Sequence, residues 1–188
     1  MADDDLVLFE RLPCESGKTI GRITLNQPRA LNSLALEMIE RVYEQLLEWE
    51  EDADIACIWL EGAGEKAFCA GGDIVQMYES MTPVGERNPF TEQYFAAEYR
   101  LDYLIHVYEK PVICWGHGVV MGGGMGLMQG ADHRIVTEKS KLAMPEITIG
   151  LYADVGASWF LNRTPGKTGL FAGLTGVHLN AGDALFMG

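Results

Sequence analysis

Apolar and polar residues along the chain follow two different periods, and the switches between them mark out the elements. Val7–Leu12 and Gly21–Leu25 are short β-type runs, and Glu15-Ser16-Gly17-Lys18 between them predicts a hairpin connection. Pro28 then punctuates, and Asn32 or Ser33 stands where it could cap a following helix. In that helix Leu34, Met38, Val42 and Leu46 form an i, i+4 row, with Ile39, Tyr43 and Leu47 beside it. Ile55–Leu60 is an unbroken apolar run closed by Glu61-Gly62-Ala63-Gly64, the pattern of a parallel strand covered on both faces. A second long helical stretch spans Phe90–Glu109 and stops before Pro111, because proline disfavours helix in the residue ahead of it. It is apolar nearly all round, so periodicity does not fix its inward face. Pro111–Trp115 predicts a strand, the glycine-dense Gly116–Gly126 a turn into a short helix ending near Gly130, and Arg134–Thr137 a further strand. Strands alternating with helices argue for an α/β fold with mainly parallel pairing. No fixed-period repeat is visible. From Leu174 to Ala181 the pattern is a helix end, a turn and a new helix start; the sequence stops at Gly188, too soon to bury that helix, and reads as truncated.

Composition narrows the class. A chain of 188 residues with 48% hydrophobic and 22% charged residues suits one globular domain. The charge balance, 14 − 27 = −13, repels a polyphosphate backbone and argues against nucleic acid as a partner. One small anionic ligand remains compatible, since local amides and a basic side chain can hold a phosphate against the net field. Cys14, Cys57, Cys69 and Cys114 include no C-x-x-C pair, and three of them lie in apolar or small-residue stretches where buried free thiols are expected. With the acidic start Met1-Ala2-Asp3-Asp4-Asp5, unlike a signal or Arg-rich transit peptide, this predicts a reducing, cytoplasmic setting. No run of 18 apolar residues exists, so no membrane span is expected.

Several chemistries can be set aside. Gly17-Lys18-Thr19 and Gly166-Lys167-Thr168 lack the earlier P-loop glycine, which is Leu12 or Leu161. The Gly116–Gly126 stretch does not satisfy G-x-G-x-x-G, and no G-x-S-x-G elbow occurs. His106, His117, His133 and His178 show no paired metal spacing.

Two glycine loops remain. Phe68-Cys69-Ala70-Gly71-Gly72-Asp73 and Met121-Gly122-Gly123-Gly124 each follow a strand and precede a helical pattern. Helix N-termini present unpaired amides and the positive end of the dipole. Two such amides converging on one point make an oxyanion hole, in which each donor is worth roughly 3–4 kcal/mol. Tight helix–strand packing explains the glycines equally well, and spacing alone leaves both readings open. Three carboxylates stand out: Glu146 in Ala143-Met144-Pro145-Glu146-Ile147, Asp154 eight residues on, and Glu98 in a stripe with Tyr94, Leu101 and Ile105. Desolvated carboxylates have raised pKa values and do acid–base or nucleophilic work. Unaided, the residues favour ordinary exposed or capping acids for Asp154 and Glu98.

At these positions the chain resembles the crotonase (enoyl-CoA hydratase/isomerase) superfamily. The motifs, in order, are Ile23-Thr24-Leu25-Asn26-Gln27-Pro28-Arg29-Ala30-Leu31-Asn32, Phe68–Asp73, Gly122-Gly123-Gly124 and Met144-Pro145-Glu146. The resemblance implies a repeated ββα superhelix with mainly parallel sheets, residues 1–174 forming an acyl-CoA-binding core and 175–188 beginning a C-terminal helical region. It implies an acyl-CoA thioester as substrate, its carbonyl oxygen held by the amides of Gly72 and Gly123. The Ala70 carbonyl region would receive the adenine, Arg29 would lie near the CoA phosphates, and Asp73 joins the substrate-contacting positions. Hydratases of this superfamily place a second glutamate where this chain has Gly126, which disfavours hydration by a carboxylate pair.

Met144–Gly156, Ala97-Glu98-Tyr99 and Met121–Gly124 are instead similar to 3-hydroxyisobutyryl-CoA hydrolases. In that family the positions matching Glu98, Gly123, Glu146 and Asp154 contact substrate. Glu146 would be the catalytic carboxylate, as nucleophile or as base for a water, with Asp154 and Glu98 orienting the reacting groups. Tyr152-Ala153 departs from the commoner Phe-Pro, at the acyl pocket. The expected reaction is hydrolysis of a short β-hydroxyacyl-CoA, in valine breakdown by family precedent. The alternatives are enoyl-CoA hydration or isomerisation with Glu146 alone, and a non-catalytic acyl-CoA-binding protein. No metal or redox cofactor is implied, coenzyme A being part of the substrate. Relatives continue with a helical region that closes over the site and supports oligomer contacts. A homo-oligomer is therefore compatible, and the isolated fragment is expected to turn over weakly and expose an apolar face.

Overall fold

The computed structural model describes residues 5–188; the acidic start, residues 1–4, lies outside them. Strand β1 (Val7–Pro13) turns at Cys14–Lys18 into β2 (Thr19–Leu25), an antiparallel hairpin with Phe9 opposite Ile23. Then follow α1 (Leu36–Glu51), β3 (Ile55–Gly62), β4 (Ala67–Cys69), α2 (Ile74–Glu79), α3 (Pro89–Val107), β5 (Val112–Gly116), β6 (Val119–Met121), α4 (Gly123–Gly130), β7 (His133–Val136) and β8 (Lys141–Ala143). A 3-10 turn, Glu146–Ile149, leads to α5 (Ala157–Phe160), α6 (Thr168–Thr175), β9 (Leu179–Asn180) and α7 (Ala181–Met187).

The strands form two sheets, ordered β1-β2-β3-β5-β7 and β4-β6-β8-β9. After the β1–β2 hairpin, which stays in one sheet, the pairs β3–β4, β5–β6 and β7–β8 each send their first strand to one sheet and their second to the other, and the chain then coils on through helix to repeat the step. Pairing is parallel everywhere except β1–β2 and β8–β9. The α/β architecture with mainly parallel sheets is therefore as expected. The ββα repetition is one of topology, which explains why no fixed period shows in the residues.

Side chains from α1 (Met38, Ile39, Val42, Leu46, Trp49) and α3 (Tyr94, Leu101, Ile105) pack over Ile23, Leu25, Ile58 and Leu60 to form the core. Local expectations are corrected at β3 and ahead of α1. The run Ile55–Leu60 is not covered on both faces: Ile55, Ile58 and Leu60 are buried, whereas Cys57, Trp59 and Glu61 face the other way and are only half-buried. There Trp59 stacks on Trp115 with ring centroids 6.0 Å apart and donates to Glu61 at 2.7 Å, so an amphipathic aromatic, not a second layer, covers that face. Of the three cysteines expected to be buried, Cys69 and Cys114 are, and Cys57 is not; all four are free thiols.

The second correction concerns Asn32 and Ser33, which do not cap α1. Its N-cap is Ala35, with no side-chain bond. Asn32 is fully buried in a left-handed turn, φ 55°, a conformation that asparagine tolerates better than most residues. Its Oδ1 accepts from the Gln27 amide at 2.9 Å, and its Nδ2 donates to the carbonyls of Ala63 at 3.0 Å and Ala67 at 2.9 Å. Asn32 thus ties the loop ahead of α1 to the β3–β4 connection, and with it the first bank of the cleft described next.

Candidate active site

The two glycine turns begin at equivalent points. In the β4–β6 pairing Cys69 stands opposite Val120, so Gly72 and Gly123 are each three residues past a matched pair. The turns touch: a Cβ on Gly71, whose φ is 100°, would lie 3.0 Å from the Met121 carbonyl and 3.5 Å from the Gly123 nitrogen. Leu34 bridges to this strand end, its amide donating to the Gly71 carbonyl at 2.8 Å and its carbonyl accepting from Asp73 at 2.9 Å. Among the described residues, neither the Gly72 nor the Gly123 N–H donates to a protein acceptor. Both glycines line one cavity of about 630 Å³, together with Ala70, Asp73, Glu98, Glu146 and Asp154. Seven of the eight residues singled out from the sequence are therefore brought together. Arg29 is the exception: it is exposed on the short 3-10 turn Pro28–Ala30, beside Ala30, which does line the cavity. Asp73 spends its side chain as the N-cap of α2, accepting from the amides of Val75 and Gln76, both at 3.1 Å.

Carboxyl groups press on the second glycine turn where side chains are missing. A Cβ on Gly122 would lie 3.1 Å from Glu146 Oε1, one on Gly126 would lie 2.9 Å from Asp102 Oδ1, and one on Gly123 would collide with Glu98 Oε1. The opposite side of α4 packs on Gly124, whose Cβ would strike the Cys69 carbonyl. Glycine at 122, 123, 124 and 126 therefore lets three acids and a strand approach the backbone.

Glu98 and Asp102, four residues apart on α3, share a helix face and are both buried, so Glu98 is not the exposed acid that the bland reading favoured. Asp154 is half-buried and accepts from the Tyr99 hydroxyl at 2.6 Å. Glu146 opens its 3-10 turn, buried at 7% exposure, and its Oε2 has no partner among the described residues. No lysine, arginine or histidine lines the cavity. Burial, reinforced by the charges of Asp154 and Glu146, pushes the Glu98 carboxyl up to about 8. Glu146 is pushed up to about 7, by burial first, with its own backbone amide opposing and Asp154 adding to the shift. Asp102, both of whose oxygens are buried and unpartnered, is raised well above the usual carboxylate range by burial and then by Glu98 and Asp154. Such a site offers a base poised near neutrality, acids that hold their protons, and two amide donors.

Sequence reasoning missed Asp102 and Tyr99. Asp102 carried a signal, since it lies one helical turn after Glu98 on the same stripe. Tyr99 stood in the Ala97-Glu98-Tyr99 segment but was given no role, because its contact to Asp154 spans 55 residues.

Comparison with known proteins agrees with this geometry. A family model described as enoyl-CoA hydratase/isomerase matches residues 20–188. The mitochondrial 3-hydroxyisobutyryl-CoA hydrolase of Danio rerio is 45% identical over 183 residues, covering 97% of this chain and 46% of that protein. The crystal structure of an enoyl-CoA hydratase from Rhodobacter sphaeroides superposes with a TM-score of 0.90 at 38% identity, over 98% of this chain and 52% of that one. A carnitinyl-CoA dehydratase from Mycobacterium thermoresistibile gives a TM-score of 0.89 at 41% identity, with the same coverages of 98% and 52%. The chain spans about half the length of the curated relatives it matches. Matched strand ends, touching glycine turns and a buried glutamate between them thus accompany a family match along most of the sequence, and the chain belongs to the enoyl-CoA hydratase/isomerase family.

Proposed function

We propose that this chain carries the site of an acyl-CoA thioester hydrolase acting on a short β-hydroxyacyl group, of the 3-hydroxyisobutyryl-CoA type. The observation that carries the reading is the buried Glu146 carboxyl, pushed up to about 7, beside two amides that have no protein acceptor among the described residues. The thioester carbonyl oxygen accepts from the Gly72 and Gly123 N–H groups, and gains charge as its carbon is attacked. Glu146 is the attacking group or the base that takes a proton from the attacking water. The C–S bond breaks, and CoA leaves as a thiolate that is then protonated; where Glu146 itself attacks, a water then opens the resulting acyl–glutamyl anhydride, releasing the acid and restoring the carboxylate. Asp154 and Glu98 orient the acyl hydroxyl. Ala70, Asp73 and Arg29 form the CoA-binding bank, Asp73 through its backbone because its side chain caps α2. No metal or redox step enters, and the four free thiols suit a reducing compartment, read here as the cytoplasm; the similar curated proteins are named mitochondrial, so cell fractionation decides between two reducing settings. No helix of the described residues is long and apolar enough to cross a membrane.

Gly126 speaks against hydration. The position offers no second carboxylate, and its space is filled by Asp102 and Val155. The test is a panel of short acyl-CoAs, 3-hydroxyisobutyryl-CoA among them, followed by thiol release with DTNB. Hydrolysis frees CoA-SH. A reaction that consumes enoyl-CoA while leaving the thioester intact would make the chain a hydratase or isomerase, and binding of CoA without any turnover would make it a binding protein.

A further inference from the structure

Val155 is the one β-branched residue among the described residues with a left-handed backbone, φ 41°. Branching at Cβ crowds the following carbonyl there, so the conformation persists only if neighbours impose it. The imposing contact is visible. Val155 is buried at 5% exposure, and its Cβ stands 2.6 Å from where a Cβ of Gly126 would be, next to the carboxyl of Asp102. The side chain thus fills the slot that glycine leaves on α4. On either side, the Asp154 carbonyl accepts from the Ala157 amide at 2.7 Å, and Gly156 is also left-handed, φ 84°, as the N-cap of α5. Asp154 immediately precedes this wedge and reaches the Tyr99 hydroxyl on α3. Asp154 and Val155 line both the cleft and a neighbouring cavity of about 460 Å³ walled by Tyr103, His106, Trp159 and Phe160. Without a fixed backbone at 155, the carboxylate could swing toward either space.

We propose that Val155 is a positioning residue for Asp154: wedged against Gly126, it holds the left-handed turn that keeps the Asp154 carboxylate on Tyr99 and in the cleft. The inference rests on Asp154 serving the reaction proposed above, so the experiment separates the two. Thiol release from the 3-hydroxyacyl-CoA that the panel turns over best is measured for wild type, V155G, G126A, G126A/V155G and each of these with D154N, alongside thermal unfolding. V155G frees the backbone, whereas G126A forces the wedge out without altering residues 154–156. Each should lower kcat about tenfold, and adding D154N to either should cost far less than D154N costs wild type. The size swap G126A/V155G refills the slot from the other side and should recover thermal stability over G126A, while kcat stays low. Turnover that returns with stability, or full additivity with D154N, would reduce Val155 to packing and overturn the inference. If D154N alone leaves wild-type turnover intact, it is the role of Asp154 in the proposed function that fails.

Discussion

Glu146 and Glu98 differ in what they must hold during turnover, and that difference predicts the pH profile. In the proposed hydrolysis Glu146 acts ionised and Glu98 protonated, so kcat/KM should rise with pH through about 7 and fall again near 8 as Glu98 loses its proton. Glu146→Gln should lower kcat by roughly 10³-fold, and Glu98→Gln should erase the alkaline limb; stopped-flow thiol release across pH reads both. Stability follows the opposite course. Glu98 ionises near 4.5 when exposed and near 8 in the fold, so the folded state binds the proton more tightly. Its stabilising contribution is complete below the lower value and drains away as pH climbs to the upper one. Glu98→Gln should therefore gain on wild type by about 5 °C in Tm at alkaline pH and show no such gain in acid, checked by calorimetry. The residues proposed for this chemistry were partly legible. Glu146 announced itself among apolar neighbours after a proline, and burial then gave it the expected character. Glu98 did not, because a glutamate in an all-round apolar helix could face either way, and only the packing of α3 on α4 fixes its direction.

Elements were easier to read than the ties between them. The i, i+4 row of α1 recurs from Met38 through Val42 to Leu46, while Leu34, expected to open it, lies ahead of the helix and bridges to Gly72; α3 stops at Val107, before Pro111 as local sterics require. Asn32 reads locally as a cap; it serves instead as a buried staple whose partners, Ala63 and Ala67, lie more than thirty residues away. Asn32→Ala should cost about 2–3 kcal/mol in urea unfolding, since two carbonyls and an amide lose their partner. Asn32→Asp should cost more, because it turns a donor toward two carbonyls into a carboxylate facing them. The strand Ile55–Leu60 illustrates the same limit: an apolar run states that a strand is present, and tertiary context decides whether one face or two is covered. Gly124→Ala tests the α4–β4 contact. A Cβ there meets the Cys69 backbone, which cannot yield, so α4 should lift from the sheet and thiol release should vanish even where circular dichroism still reports helix.

As a whole, the molecule carries −13, and the cleft proposed to take an anionic acyl-CoA is lined by acids and, among the described residues, by no basic side chain. Long-range repulsion therefore opposes binding, and screening relieves it. KM for an acyl-CoA should fall about twofold between low and near-physiological salt, with kcat unchanged; a rise would show that local basic contacts dominate the field. Fold class was legible at this scale because alternation of strand and helix survives any change of individual residues, while the ββα repetition, carried by topology, was legible only through the family resemblance. Toward its end the chain bears the apolar face that was expected: Leu170, Phe171 and Leu174 on α6 and Leu185 and Phe186 on α7 are exposed. The matched start of the two glycine turns has one more consequence. Because Gly72 and Gly123 each lie three residues past the Cys69–Val120 pair of neighbouring parallel strands, the distance at which the two turns start is gauged by the sheet's own spacing of about 4.8 Å, a length that no side chain sets. Mutation can exchange the acids around that gauge while the separation at which the two turns start keeps its calibration.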